Sequence, residues 1–223
     1  MCVDTNFINW TRTQDYNLSL KEYYIPNYFN KNQFKVIKKR KNKDKIVFVY
    51  PRRIYSARGY DITIDAFREI FKKYKNKAII NFVGQIDNEE ARKKLTKFKK
   101  DFPKNVFHNE YDMQDMSKAY EDADVVLIPT RYCEGTSLSC IEGMASGSAI
   151  IATNVGGLPN LVFDGYNGRL ISPTAEELTN AIEEMIVNSD LRNQFAKHSK
   201  EIATASLEKN IWDERWKKIF QKY

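Results

Sequence analysis

Residues 134–157 read EGTSLSCIEGMASGSAIIATNVGG and carry two carboxylates, Glu134 and Glu142, with seven residues between them. The run just before, residues 124–129 (DVVLIP), is short, apolar and β-branched, the signature of a buried strand. The small residues of 137–146 predict a helix, and 148–153 predicts a second buried strand. Glu134 therefore falls in the loop at the carboxyl end of a strand, and Glu142 about one and a half turns inside the next helix. Gly135, Thr136 and Ser137 lead into that helix with little bulk and with hydroxyls suited to capping. The first-turn N–H groups have no intrahelical acceptor and, with the helix dipole behind them, can face an anion. An anion there, with a carboxylate alongside, suits a diphosphate joined to a polyhydroxylated sugar.

Two unrelated glutamates would read differently: Glu134 as a helix cap and Glu142 as a solvated helix residue. Glu142, however, sits between Ile141 and Met144 on a helix otherwise small and apolar, which turns it toward a cleft. A buried carboxylate needs a partner, and ligand hydroxyls are one candidate.

Outward from this stretch, apolar runs alternate with amphipathic segments, which argues for a parallel βαβ construction. Strands are expected at 46–50, 78–83, 105–108 and 168–171, and helices at 61–74, 88–102, 113–123, 175–188, 191–203 and 207–223. Residues 1–23 show no clear periodic helix. Ligands of open α/β sheets bind at the strands' carboxyl ends. That rule sets residues 51–59 (PRRIYSARG), with Arg53 and Arg58, on the same edge as Glu134. The plainer reading of these is two surface arginines. Gly84 ends a strand, as turns often do, and His108 and His198 have no visible triad partner.

A chain of 223 residues makes one large domain or two small ones. No apolar run approaches the roughly 20 residues of a membrane span. The three cysteines, Cys2, Cys133 and Cys140, lack metal-type spacing and read as free thiols of a reducing compartment. The net charge of +7 is densest at 35–45 (KVIKKRKNKDK) and 92–104. Solvated lysines account for it; a functional alternative is attraction to an anionic membrane surface. Nucleic acid ranks third, because the basic runs are not interleaved with stacking aromatics.

The order E-x7-E, G-M-A-S-G, apolar strand, N-V-G-G resembles the donor-binding half of retaining family-4 glycosyltransferases, over roughly residues 24–223. The resemblance implies a Rossmann-like parallel sheet flanked by helices, one half of a GT-B fold, with a C-terminal crossover helix. It divides the chain into 1–34 (tail of an acceptor domain not in this chain, plus linker), 35–205 (donor-binding domain) and 206–223 (a helix packing on the acceptor domain). Tyr28 replaces the family's usual glycine after Asn27, and Asn160 stands where a glutamate is common. If the acceptor domain is absent, the apolar stripe of 207–223 is expected to lie partly exposed and to favour self-association.

By the same resemblance, Arg53 and Arg58 match an arginine and a lysine that hold the donor diphosphate, with guanidinium replacing ammonium at 58. Thr136, Ser137 and Leu138 would complete the diphosphate site, Glu142 would bind the ribose, and Glu134 would be the catalytic group beside the donor sugar. Gly84, Gly156 and Gly157 would belong to donor loops. No cofactor and no metal are implied. The expected partners are a UDP- or GDP-sugar and a glycan or lipid-linked acceptor, in the cytoplasm or at the inner membrane face. A nucleotide-sugar binding module without transfer activity is the alternative. An unrelated dinucleotide enzyme is disfavoured, because no G-x-G-x-x-G follows the first strand.

Overall fold

The structure is a computed structural model that describes residues 1–19, 22–34 and 45–222. The basic run at 35–45 therefore lies almost wholly outside the described residues, as does Tyr223 of the C-terminal stripe.

Six strands form one wholly parallel sheet in the order β3-β2-β1-β4-β5-β6. They are β1 (Ile46–Tyr50), β2 (Ala78–Val83), β3 (Val106–Asn109), β4 (Val125–Ile128), β5 (Ala149–Thr153) and β6 (Gly168–Ile171). Every residue of β4 and β5 is buried, as continuous β-branched runs require in a parallel sheet covered on both faces. The helices are α1 (Asn6–Gln14), α2 (Tyr16–Ser19), α3 (Tyr60–Tyr74), α4 (Glu89–Asp101), α5 (Leu138–Ala145), α6 (Ala175–Val187), α7 (Ser189–Ser206) and α8 (Lys209–Phe220).

Alternation along the strands splits the core in two. Phe48, Tyr50, Ile80, Phe82, Val125, Leu127 and Ile151 face α3, α4 and α6. Val49, Val83, Val126, Ile128, Ile150 and Ala152 face α5, α7 and the Phe29–Phe34 stretch. Strand order reverses direction between β1 and β4, and the crevice beyond their carboxyl ends is where such sheets bind ligands.

Two expectations fail locally. Residues 1–23 do contain a helix, α1, which buries Ile8 and Thr11 and leaves Phe7 and Trp10 in solvent. Its largest apolar residues point outward, so the sequence shows no inward stripe. The helix expected over 113–123 is instead a 3-10 segment, Met113–Ala119, whose only buried residue is Ala119. With Met113 exposed there is no face to bury, and i→i+3 turns suffice. Tyr120 and Ala123, within the expected span, are buried just beyond it.

Candidate functional site

The crevice is assembled from the segments that follow β1 and β4. Beyond β1 the chain bends at Arg52 and then pairs again: Ile54 donates its N–H to the Gln85 carbonyl at 2.8 Å and forms a parallel bridge with Ile86. In an extended segment alternate side chains face opposite ways. Ile54 and Arg52 are buried, while Arg53 between them turns out to solvent. The Tyr50 hydroxyl donates to the carbonyls of Arg53 and Arg58, at 3.1 and 3.0 Å, and holds the loop in place.

Beyond β4, Glu134 is drawn inward and is only 9% exposed at its side chain. Its Oε2 accepts from Arg52 Nη2, from Arg58 Nη1 at 2.7 Å and from Thr130 Oγ1 at 2.8 Å. Arg52 also donates to Thr130 Oγ1. Arg52 is buried to 6% and Arg58 is 36% exposed. Arg53, expected beside them, is 64% exposed and lies 3.9 Å from Asp87, outside this cluster. The structure thus brings Arg58 and Glu134 together with two residues the sequence reading passed over, Arg52 and Thr130. The parity of Arg52 with buried Ile54 was a signal that could have found the first.

Glu134 is also fixed through its backbone. Gly157 donates its N–H to the Glu134 carbonyl at 2.9 Å. Gly156 adopts φ +57°, and a Cβ there would overlap the Glu134 main chain, so only glycine fits. Gly84 abuts the backbone of Arg52 in the same way. These three glycines therefore hold the arginine and glutamate loops together.

Ser137 caps α5, its Oγ accepting from the Cys140 N–H at 3.4 Å. Ser139 Oγ on the same helix donates to the Pro51 carbonyl at 2.8 Å, which ties the helix start to the end of β1. Thr136 does not cap: its hydroxyl donates to the Val3 carbonyl. Leu138, the first helical residue, is 51% exposed and marks where the first turn meets solvent. The N-terminal segment closes on these loops, since Thr5 N–H donates to Asn160 Oδ1 at 3.0 Å and Asn160 Nδ2 to Thr5 Oγ1 at 2.9 Å.

One and a half turns along α5, Glu142 meets a different environment. Its Oε2 accepts from the hydroxyl of Tyr120, a fully buried ring, at 2.7 Å. Burial raises its carboxyl from an ordinary 4.5 to about 7, against the opposing pull of the Tyr120 hydrogen bond. The partner anticipated for a buried carboxylate is thus, within the chain, a tyrosine.

His108 Nε2 lies 2.9 Å from the Gly84 carbonyl, and His198 stacks on Tyr166; both fit structural roles. Asp122 and Asp124, an Asp-x-Asp pair, sit at the amino end of β4, where Asp124 accepts from the Val47 N–H, far from the arginines. Among the described residues no group of three or more His, Cys, Asp or Glu is arranged to hold a metal. No helix there is long and apolar enough to cross a membrane.

The sheet and its site can be set beside known proteins. The family described as "Glycosyl transferases group 1" matches residues 31–202. An uncharacterized glycosyltransferase of Methanocaldococcus jannaschii is 29% identical over 191 residues, 84% of this chain and 47% of that protein. The lipopolysaccharide 1,2-N-acetylglucosaminetransferase of Salmonella typhimurium is 23% identical over 189 residues, 81% of this chain and 47% of its own length. The chain spans about half the length of these curated relatives. Among solved structures, Anabaena HepE in complex with UDP and glucose superimposes with a TM-score of 0.81 at 16% identity, covering 100% of this chain and 62% of that one. A glycosyltransferase from Rickettsia africae gives 0.80 at 17%, covering 99% and 62%. These likenesses establish the fold, the Rossmann-like half of a GT-B architecture. The extent of the family match decides the rest: the chain belongs to the group 1 glycosyl transferases.

Proposed function

We propose that this chain carries the nucleoside-diphosphate-sugar site of a retaining glycosyltransferase that moves a sugar to a glycan or lipid-linked acceptor. The observation that carries the reading is the convergence, at the switch between β1 and β4, of Arg58, the capped start of α5 and two differently held glutamates. The N–H groups of α5's first turn and the Arg58 guanidinium would neutralise the diphosphate as the bond to the sugar breaks. Glu142 would accept hydrogen bonds from the ribose diol in the plane now occupied by the Tyr120 hydroxyl. Glu134, held by two guanidinium groups, would stand beside the sugar and stabilise positive charge at its anomeric carbon. Arg53 joins the diphosphate only by leaving Asp87.

No metal enters this scheme, because the cations are side chains. Residues 1–34 and 206–223 fit the edges of a second, acceptor-binding domain. HepE has been solved with UDP-glucose as well, which supports a UDP-sugar as donor. The narrower alternative is donor binding without transfer.

The test is calorimetric titration with UDP and then GDP, repeated on Glu142→Ala and Arg58→Ala. One nucleotide should bind, and each substitution should weaken it by about tenfold or more, the loss expected of a charge-assisted hydrogen bond. Binding left unchanged by both substitutions would refute the assignment.

A further inference from the structure

A diphosphate site needs uncommitted positive charge, yet Arg58 already has an anion. Its guanidinium lies 2.7 Å from Glu134, and a carboxylate bound to a single arginine would cancel it. The cluster avoids this because Glu134 has a second cation. Arg52 is the more deeply buried of the two and donates to both Glu134 and Thr130. The backbone on either side is fixed as well, by the Gln85 pairing of Ile54 and by the close approach of Gly84 to the Arg52 carbonyl. Arg58 is several times more exposed and faces solvent. Two guanidinium charges less one carboxylate leave the cluster with one net positive charge, and the exposed member is the one placed to present it.

We propose that Arg52 is a positioning residue: it is the permanent counter-ion of Glu134, and by holding that carboxylate it frees Arg58 to take the donor's phosphate. The assignment rests on the donor-site reading for its phosphate half; the Arg52–Glu134 clamp stands on geometry alone. Phosphate arrival then exchanges one anion for another at Arg58 while Glu134 stays where it is, aimed at the sugar side. Arg53, adjacent in sequence, cannot substitute, because it faces the opposite way toward Asp87.

Two measurements on the full chain separate the clamp from the donor reading, using Arg52→Met, Arg52→Lys, Glu134→Gln and the double variant Arg52→Met with Glu134→Gln. Thermal unfolding needs no ligand. Arg52→Met should lower Tm by several degrees, because it leaves the Glu134 carboxylate with the more exposed Arg58 as its remaining cation, and adding Glu134→Gln should recover a large part of the loss. Additive losses would overturn the clamp. Titration with UDP then reads the consequence. Arg52→Met should weaken UDP by about tenfold, since Glu134 now competes for Arg58; Glu134→Gln in that background should restore most of it, and Arg52→Lys should hold an intermediate affinity. A loss that Glu134→Gln does not rescue would mean a merely structural arginine and would overturn the proposal. Wild-type chain silent to both UDP and GDP would sink the donor reading and the phosphate half with it, while the unfolding cycle still decides the clamp.

Discussion

Glu134 and Glu142 sit on one loop and one helix, seven residues apart, and experience opposite electrostatics. Glu134 is surrounded by two guanidiniums and a hydroxyl. Glu142 instead accepts from a tyrosine hydroxyl, and burial raises its carboxyl to about 7. The first is a fixed anion; the second is an acceptor held at the edge of neutrality. Both are buried carboxylates, so what separates them is whether the chain supplies a counter-charge. A glutamate given its own cations is prepared to face a developing positive charge. One left short of donors is prepared to receive them from a ligand's hydroxyls.

The difference is sharpest where one partner is removed. Arg52→Met leaves Glu134 with Arg58 as its remaining cation, and chemical denaturation should show a loss of about 3 kcal/mol, the low end for breaking a buried pair. A loss below about 1 kcal/mol would place Glu134 in effective contact with solvent and erase the contrast.

Glu142 should respond with the opposite sign. Folded, its carboxyl titrates near 7, and its ordinary value is 4.5. Between those values the native state keeps a proton that the unfolded chain has lost, so stability falls as pH rises through that window. Above it, burying the ionised form costs roughly 3 kcal/mol. Glu142→Gln keeps an acceptor for Tyr120 without the charge. It should therefore stabilise the chain at pH 8 by up to that amount and leave it nearly unchanged at pH 4.5, as denaturation at the two pH values would report. Equal effects at both would mean that Glu142 is not buried enough to titrate late.

The smallest effect belongs to Tyr120→Phe, which deletes the hydroxyl but keeps the ring. A loss of about 1 kcal/mol is expected near neutral pH. The Glu142 carboxyl should move further up, because the hydrogen bond that opposes burial is gone. Infrared titration of the carboxyl band would follow that movement.

Much of this site was legible because it depends on short-range rules. Buried strands show as β-branched runs, and the strand–loop–helix order around Glu134 fixes which edge it occupies. Gly156 was placed in a donor loop by the resemblance, and the structure shows that its backbone lies against Glu134's main chain. What escaped depends on side-chain direction and on contacts distant in sequence. Arg52 and Arg53 are adjacent and identical, yet the first is buried with Glu134 and Thr130 while the second faces solvent near Asp87. Tyr120 reaches Glu142 across 22 positions, and Asn160 meets Thr5 across 155; neither leaves a local trace. Helix α1 hid because Phe7 and Trp10 face solvent.

The most direct test of the two-carboxylate account is a crystal structure of this chain with UDP. The account predicts the ribose hydroxyls on Glu142, the diphosphate against the first turn of α5 with Arg58 turned onto it, and Glu134 still clamped by Arg52. A nucleotide bound elsewhere, or one that leaves Glu142 on Tyr120 alone while Arg58 stays on Glu134, would contradict it.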